Sequence, residues 1–172
     1  RLNAFLDATL GSSGEPIDAS ARNILEGGAG NDVLTAEVAE GGFGTSALYG
    51  GAGKDLLTVK GGLENILDGG AGNDTLVGGA GAERLTGGAG NDRMRGEGGD
   101  DMFIFAEGAG CDVISDFDDG ADLIRILSGA AEFADLCISA AGADAVIRFA
   151  DVTIRLENTC AGNLSADDFL FA

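Results

Sequence analysis

Three nine-residue units follow one another without a gap in the middle of the chain, and this repeat restricts the possible folds more than any other feature. Between residues 69 and 95 the units read GGAGNDTLV, GGAGAERLT and GGAGNDRMR. Each opens with two glycines and has an apolar residue at its eighth place: Leu76, Leu85 or Met94. The glycine-rich half allows a tight turn, and the residues after it can form a short strand. One unit cannot bury its apolar side chain alone, so the period predicts a stacked repeat array.

Further copies of the unit extend the array in both directions. The pattern begins at Asn23 and Leu25, and the first complete unit, residues 27–35, reads GGAGNDVLT. An insertion, AEVAE (36–40), follows it. Less regular copies occupy residues 41–49, 50–58, 61–68, 96–104 and 107–115. The inner row of side chains is predicted to be Leu34, Leu48, Leu57, Leu67, Leu76, Leu85, Met94 and Phe103. This is a thin core, which indicates that something besides hydrophobic burial holds the coils together.

Composition excludes several kinds of function. Acidic residues outnumber basic ones by 29 to 10, for a formal charge of -19. Nucleic acid is therefore not expected as a partner, because its phosphate backbone would be repelled. The chain has no histidine, which rules out an HExxH zinc motif and a Ser-His-Asp triad. Pairs of acids could in principle hydrolyse glycosides, but here the acids recur at the repeat spacing, which a hard cation explains better. We therefore expect no enzyme in this chain.

The consensus of the units, G-G-x-G-x-D-x-U-x with U a large apolar residue, resembles the calcium-binding nonapeptide of the RTX (repeats-in-toxin) family. GGAGND occurs three times and GGAGKD once. The resemblance implies an all-β fold. A parallel β-roll, which is a calcium-binding β-helix or solenoid, is expected over residues 23–115, and a C-terminal antiparallel β-sandwich-like cap over residues 116–172. Residues 1–22 would form an N-terminal flank.

The family resemblance also implies a set of ligands. In the family, two units form a coil, and calcium lies between loops of successive coils on the same side. The sixth residue gives a carboxylate, while carbonyls come from the second and fourth residues of one loop and the first and third of the next. Such an all-oxygen set suits calcium, and about three to five Ca2+ ions are implied. The carboxylate candidates are Asp32, Asp55, Asp74, Glu83, Asp92, Asp101, Asp112 and Asp122. The backbone candidates are Gly28, Gly30, Gly50, Gly51, Ala52, Gly53, Gly69, Gly70, Ala71, Gly72, Gly87, Gly88, Ala89 and Gly90.

The sixth places differ between alternate units. One set carries Asp32, Asp55, Asp74, Asp92 and Asp112; the other carries Asn23, Ser46, Asn65, Glu83 and Asp101. We therefore predict a roll that binds calcium mainly on one side. The gaps between Asp55, Asp74 and Asp92 should be best. We expect the insertion AEVAE to weaken calcium binding between Asp32 and Asp55. The extra residues between Asp92 and Asp112 should likewise weaken binding there.

On the other side, only Glu83 with Asp101 is a plausible pair. Ser46 and Asn65 are expected to cap turns by hydrogen bonding to nearby backbone, as such side chains do.

Six segments after the repeats alternate as strands do: residues 102–105, 112–117, 121–127, 135–139, 144–149 and 152–158. Their spacing favours antiparallel strands in a small sandwich or cap. Asp116, Asp119 or Asp122 could hold a further ion, and the equal alternative is that they are turn acids facing solvent. Cys137 and Cys160 could pair in an oxidising compartment, and unpaired buried thiols are the alternative.

The last residues, LSADDFLFA (164–172), resemble the C-terminal signal of bacterial proteins that a type I secretion exporter recognises. The resemblance implies a secreted, extracellular module that folds on binding calcium and supports an upstream catalytic or adhesive domain of the parent chain. The alternative is an adhesive or ligand-binding segment of a surface adhesin, although alanine at the third place of the good units offers a partner little to contact. No run of 18 apolar residues and no N-terminal signal peptide is visible.

Overall fold

A computed structural model describes residues 22–38 and 44–172, and the description below concerns those residues. They form two sheets and two short 3₁₀ turns, Phe133–Asp135 and Ala166–Asp168. The strands are β1 (Arg22–Ala29), β2 (Val33–Glu37), β3 (Thr45–Ala52), β4 (Leu56–Lys60), β5 (Glu64–Ala71), β6 (Thr75–Val77), β7 (Ala82–Ala89), β8 (Arg93–Arg95), β9 (Met102–Phe105), β10 (Cys111–Ile114), β11 (Leu123–Ile126), β12 (Cys137–Ala141), β13 (Asp144–Phe149), β14 (Val152–Leu156) and β15 (Phe169–Phe171). The predicted flank, residues 1–22, lies outside the described residues except for Arg22, as do Ala39 and Glu40 of the insertion.

Successive strands alternate between the two sheets, so that two units make one coil. The first sheet has the order β1-β3-β5-β7-β9-β11-β15, and the second has the order β12-β13-β14-β10-β8-β6-β4-β2. All pairs between β1 and β11 are parallel. Each glycine-rich turn therefore carries the chain from one sheet to the other. This is the parallel β-roll that the repeat predicts, and the all-β fold is confirmed.

The eighth places form the core between the sheets, as predicted. Leu57, Leu76 and Met94 are neighbours in register in the second sheet and are fully buried. Leu48, Leu67, Leu85 and Phe103 form the matching row of the first sheet and are also fully buried. The side chains between them face outwards because strand residues alternate between faces. The three-residue strands β6 and β8 therefore contribute one side chain each, whereas β2, β4 and β9 add a second, Ala36, Val59 or Phe105.

The two sheets continue across residue 116 into the C-terminal region. Strands β9, β10 and β11 extend the parallel roll, and antiparallel pairing is confined to β12, β13 and β14. The sequence predicted these strands, but the antiparallel direction expected from their spacing is wrong for β9, β10 and β11, since alternation alone does not report direction. Strand β15 was not predicted: it pairs with β11 in parallel, and its Phe169 ring lies 5.4 Å from that of Phe133. The domain boundary between residues 115 and 116 stays a prediction.

The three cysteines, Cys111, Cys137 and Cys160, are unpaired and exposed. The expectation of buried thiols is wrong for all three. Cys111 and Cys137 lie on the outer face of the second sheet, with Thr153 and Arg148 between them in register. Two intervening strands therefore separate these thiols.

Replacement of a core leucine should cost far more stability than replacement of its neighbour. Leu57 is fully buried, whereas 39% of Leu56, on the opposite face of the same strand, is exposed. We expect Leu57→Ala to lower the free energy of unfolding by about 2–5 kcal/mol, as for buried leucines generally. Leu56→Ala is the matched control and should cost less than about 1 kcal/mol. Urea denaturation in excess calcium measures both, and equal losses would contradict the assignment of the core.

Candidate metal centre

The turns that lead from the first sheet to the second are stacked along one edge of the roll, here called the aspartate edge. It consists of the loops 27–32, 50–55, 69–74, 87–92 and 107–112. Strand register sets Asp32, Asp55, Asp74, Asp92 and Asp112 in one column, because the residue after each is paired with its counterpart in the next coil. The opposite edge, here called the mixed edge, carries the column Ser46, Asn65, Glu83, Asp101 and Asp122.

Glycine at the second and fourth places lets adjacent loops of the aspartate edge approach closely. Gly70 and Gly72 have φ of 96° and 140°, a region that other residues rarely adopt. A Cβ at Gly70 would overlap the carbonyl oxygen of Gly51, and one at Gly72 would overlap that of Gly53. These two carbonyl oxygens of one loop are therefore directed along the stack at the next loop.

Two carbonyls of the next loop are directed back into the same gap. A Cβ at Gly50 would lie 2.6 Å from the carbonyl oxygen of Gly69. The carbonyl of Ala71 accepts a hydrogen bond of 2.8 Å from the N–H of Gly53 and retains a second lone pair. The gap between loops 50–55 and 69–74 is thus bordered by four carbonyl oxygens from the first to fourth places.

The next gap, between loops 69–74 and 87–92, repeats this arrangement. The carbonyl oxygens of Gly70 and Gly72 lie against Gly88 and Gly90. In the opposite direction, the carbonyl of Gly87 lies against Gly69, and that of Ala89 accepts a hydrogen bond of 2.8 Å from Gly72.

Four of the five aspartates of this edge have one oxygen partnered and one oxygen without a partner. The Oδ1 atoms of Asp55, Asp74, Asp92 and Asp112 each accept a hydrogen bond of 2.8 Å from the backbone N–H of the preceding aspartate in the column. The Oδ2 atoms of all five aspartates are buried without any hydrogen-bond donor. An unpartnered buried carboxylate oxygen is costly unless a cation or a proton neutralises it.

The donor set fits a calcium ion. It consists of oxygen atoms alone, which is what Ca2+ prefers. No group of three or more His, Cys, Asp or Glu side chains converges on one point within residues 22–38 and 44–172. A metal in these gaps would therefore take most of its ligands from backbone carbonyls, with carboxylates supplying the charge.

Glycine at the first place is required by the carboxylate itself. A Cβ at Gly69 would lie 2.5 Å from Oδ2 of Asp74 and 2.6 Å from the carbonyl oxygen of Gly87. The side chain of the sixth residue thus folds back over the first residue of its own loop. The two opening glycines of the unit consequently have different roles, one making room for a carboxylate and the other for a neighbouring loop.

One of the two outer gaps differs from what the sequence led us to expect. The gap between Asp32 and Asp55 is as regular as the central ones: Gly30 donates to the carbonyl of Ala52 at 2.8 Å, and Gly28 is paired with Gly51. The five extra residues between Asp32 and Asp55 leave this gap regular, because the N–H of Asp32 still donates to Oδ1 of Asp55 at 2.8 Å.

The gap between Asp92 and Asp112 is irregular, as its extra residues suggested. No atom lies within contact distance of a Cβ built at Gly108, so Gly88 and Gly108 are not stacked. The N–H of Cys111 also donates to the carbonyl of Gly90 at 3.2 Å.

Side chains on the mixed edge mostly satisfy one another. Asn65 caps its turn, as expected, by donating from Nδ2 to the carbonyl of Gly61 at 3.1 Å. Both oxygens of Asp122 accept backbone hydrogen bonds, from Asp101 at 3.0 Å and from Asp118 at 2.9 Å. Asp101 accepts from the N–H of Glu83 at 2.8 Å, but the carboxylate of Glu83 is turned away from it towards Asn65. Of the further candidates, Asp116 accepts from the backbone of Gly96 and Glu97.

Burial alters the acidity of several of these carboxyl groups. Loss of hydration raises the pKa of Asp92 to about 6, and that of Asp112 to about 7, in each case opposed by a backbone hydrogen bond and reinforced by the neighbouring aspartate. Burial likewise raises the pKa of Asp74, and on the mixed edge it raises that of Asp101 to about 7. The gaps thus favour a neutral state, through either protonation or a bound cation.

Asparagine at the fifth place forms a second ladder of hydrogen bonds, which was not predicted from the sequence. Oδ1 of Asn31 accepts from the N–H of Lys54 at 2.8 Å, and Oδ1 of Asn73 accepts from the N–H of Asn91 at 2.9 Å. Asn91 does the same for Cys111 at 3.2 Å. The side chain of Lys54 cannot accept a hydrogen bond. The ladder is therefore interrupted between Lys54 and the N–H of Asn73 in the next coil. The recurrence of GGAGND beside GGAGKD was the available signal.

Comparison with a family model gives a match to the RTX calcium-binding nonapeptide repeat in four copies, at residues 19–38, 35–63, 60–94 and 77–110. Together these copies cover residues 19–110, which is more than half of the chain. No curated protein matches the sequence. No helix among the described residues is long and apolar enough to cross a membrane.

Solved structures with the same fold include an extracellular lipase and two epimerase subunits. The extracellular lipase LipA from Serratia marcescens matches with a TM-score of 0.56 at 18% identity, over 88% of this chain and 38% of the lipase. The AlgE6R3 subunit of the Azotobacter vinelandii mannuronan C5-epimerase gives 0.52 at 25% identity, over 96% and 87% of the two chains. The AlgE6R2 subunit of the same epimerase matches with a TM-score of 0.53 at 25% identity, over 90% of this chain and 94% of that subunit. This chain thus spans well under half of the lipase.

Restoring the interrupted asparagine ladder should stabilise the roll. In Lys54→Asn the new side chain can accept a hydrogen bond from Asn73, which should add about 0.5–1 kcal/mol to the free energy of unfolding. Lys54→Ala is the control, because it removes the same charge without supplying an acceptor. Thermal unfolding in excess calcium compares the two, and an equal change in both variants would show that the charge alone matters.

Acid should partly replace calcium in holding the roll together. Because the pKa values of Asp92, Asp101 and Asp112 are raised to about 6 or 7, the folded chain binds protons more tightly than the unfolded one. Without calcium, stability is therefore greatest at low pH and is lost as the pH rises from about 4 to about 7. Circular dichroism of calcium-free protein should show more β structure near pH 5 than near pH 8. Asp112→Asn should reduce this difference, and a calcium-free signal that is independent of pH would contradict the assignment.

Proposed function

The chain belongs to the RTX calcium-binding nonapeptide repeat family, and we propose that it is a module of a larger secreted protein that folds when it binds extracellular calcium. One observation carries this proposal: five buried Oδ2 atoms without donors lie in register along a single edge. A column of this kind needs positive charge at every level. Since the described mixed edge has no such column, we propose that calcium is held mainly on the aspartate edge.

We assign the ligands of the regular gaps as follows. Between the loops of Asp74 and Asp92, the ion is held by these two carboxylates and the carbonyls of Gly70, Gly72, Gly87 and Ala89. The ion between Asp55 and Asp74 uses the carbonyls of Gly51, Gly53, Gly69 and Ala71. The ion between Asp32 and Asp55 uses Gly28, Gly30, Gly50 and Ala52. The irregular gap between Asp92 and Asp112, with Gly88 and Gly90, binds more weakly.

Electrostatics explains why folding should depend on the ion. Carboxylates in adjacent coils are separated by roughly the spacing of adjacent strands, about 5 Å. At an effective dielectric constant of about 20 their repulsion is roughly 3 kcal/mol per pair. Four such pairs along the aspartate edge are comparable to the whole stability of a small domain. Bound calcium neutralises this repulsion, so binding and folding form one equilibrium.

The calcium requirement suits an extracellular location. Extracellular calcium modules bind with dissociation constants of about 10⁻⁴–10⁻³ M. Such a module is unfolded at the micromolar calcium of a cytosol and folded outside the cell. We propose that this difference delays folding until a type I exporter has released the chain, and that LSADDFLFA (164–172) is part of the export signal. RTX repeats are typical of secreted bacterial proteins, and the matched lipase is extracellular.

The parent activity is proposed to reside upstream of this chain. The described residues consist of repeats and their C-terminal strands, and the chain corresponds to 38% of the lipase that shares its fold. We propose that the module itself catalyses no reaction and stabilises a catalytic or adhesive domain of the same polypeptide.

Calcium should drive folding, and the aspartate edge should dominate the response. Titration with calcium should produce a rise in β signal by circular dichroism that a chelator reverses. Asp74→Asn should raise the calcium midpoint by roughly tenfold or more, equivalent to about 1.4 kcal/mol, because Asp74 borders two gaps. Glu83→Gln is the matched control, since Glu83 is equally buried and loses the same charge, but lies on the mixed edge.

Glu83→Gln should raise the midpoint far less than Asp74→Asn does. A spectrum that does not respond to chelator would contradict calcium-driven folding. Equal shifts in the two variants would contradict the assignment of calcium to the aspartate edge.

A further inference from the structure

Two buried polar side chains on the mixed edge face each other where the aspartate edge would have a cation. Asn65 and Glu83 occupy equivalent sixth places in successive coils, and they are 0% and 1% exposed. Resting on the function proposed above, we propose that the side-chain amide of Asn65 replaces a calcium ion in this gap, so that these two coils are joined without metal. Asn65 is then the residue that prevents calcium from binding in the gap between these two coils.

The orientation of the Asn65 amide is fixed by three partners. Its Oδ1 accepts from the backbone N–H of Ser46 at 2.9 Å. Its Nδ2 donates to the carbonyl of Gly61 at 3.1 Å and to Oε1 of Glu83 at 2.7 Å. Both of these are acceptors only, and the N–H of Ser46 is a donor only, so a flipped amide would lose all three hydrogen bonds. The positive end of the amide dipole therefore faces Glu83.

Glu83 is satisfied by this arrangement, unlike the acids of the opposite edge. Its Oε2 accepts from the N–H of Gly79 at 3.0 Å, and its Oε1 is held by Asn65. On the aspartate edge, each Oδ2 is buried with no donor. Hydrogen bonds to an ionised carboxylate are stronger than those between neutral groups. Two such bonds stabilise the buried charge of Glu83, as a cation would stabilise that of Asp74 or Asp92.

The length of the side chain explains why this position carries glutamate and not aspartate. Aspartate in this column accepts from the backbone N–H of the preceding sixth place, as Asp101 does from Glu83. The extra methylene of Glu83 carries its carboxylate past that backbone group to the side chain of Asn65. Asparagine and glutamate at these two sixth places thus act as a hydrogen-bonded pair. Neither residue is a weakened version of a calcium-binding aspartate.

A single substitution should convert this gap into a calcium site. In Asn65→Asp both N–H donors are lost, and the introduced carboxylate meets the carboxylate of Glu83 and the carbonyl of Gly61. The gap would then be lined by oxygen atoms with two negative charges, which are the ligands of a hard cation. In the absence of calcium the same oxygen atoms would repel one another.

The test compares wild type, Asn65→Asp, Glu83→Gln and the charge-matched control Asn163→Asp, at an exposed residue that follows the repeats in the sequence. Calorimetric titration with calcium chloride counts the ions bound, and thermal unfolding in chelator near pH 5 measures stability without metal, where Asp92, Asp101 and Asp112, with pKa values raised to about 6 or 7, are largely protonated. Asn65→Asp should bind one more ion than wild type and should melt lower in chelator. Glu83→Gln and Asn163→Asp should bind as many ions as wild type.

Three outcomes would overturn the inference. They are an unchanged ion count in Asn65→Asp, an unchanged melting temperature of that variant in chelator, or the loss of an ion in Glu83→Gln. If Asn65→Asp does not fold even in calcium, the ion count of Glu83→Gln still decides, because a gap closed by calcium must lose affinity when Glu83 is neutralised. If wild type binds no calcium, the proposed function fails, while the melting temperatures in chelator still report on the Asn65–Glu83 contact.

Discussion

Burial of one unpartnered carboxylate oxygen per coil, always on the same edge, is the constraint on which the rest of this structure depends. The parallel strands impose it, because pairing in register sets each aspartate directly above the last. Close stacking of glycine loops then removes water from the gaps and directs carbonyl oxygens into them. The roll therefore contains strong repulsion and, in the same place, the ligands that a cation needs to relieve it. Neither feature can be removed without the other.

The hydrophobic core and the hydrogen-bond ladders have separate roles. Inward leucines such as Leu57 and Leu76 keep the two sheets together but contribute only one or two side chains per strand. Register along the stack is set instead by backbone pairing, by aspartate Oδ1 atoms and by asparagines at the fifth place. The mixed edge uses the same positions differently, with amide and backbone donors in place of ions. An asymmetric roll of this kind keeps local order on one edge while the other responds to its surroundings.

The repeat period made much of this structure predictable. A glycine-rich turn and one apolar residue in every nine specify the coil, the inner row and the column of Asp55, Asp74 and Asp92, because each unit repeats the same local physics. The parallel direction of β11 and β15 was not predictable, since alternation is the same in parallel and antiparallel strands. The regular stacking at Asp32 was also missed, because the sequence does not show at which edge an insertion emerges. The contact between Asn65 and Glu83 depends on two rotamers across a gap, which the spacing of residues does not reveal.

Because two units make one coil, the position of a unit along the chain decides the edge on which its sixth residue lies. Duplication or loss of a single nine-residue unit would transfer every later aspartate to the opposite edge and break the column, whereas gain or loss of two units would preserve it. The step from Asp32 to Asp55 is 23 residues and that from Asp74 to Asp92 is 18, yet the same 2.8 Å hydrogen bond joins each pair. Genes for such rolls should therefore tolerate short insertions between sixth places and should change in length by even numbers of units. The parity of the repeat count thus decides whether the column of aspartates stays on one edge.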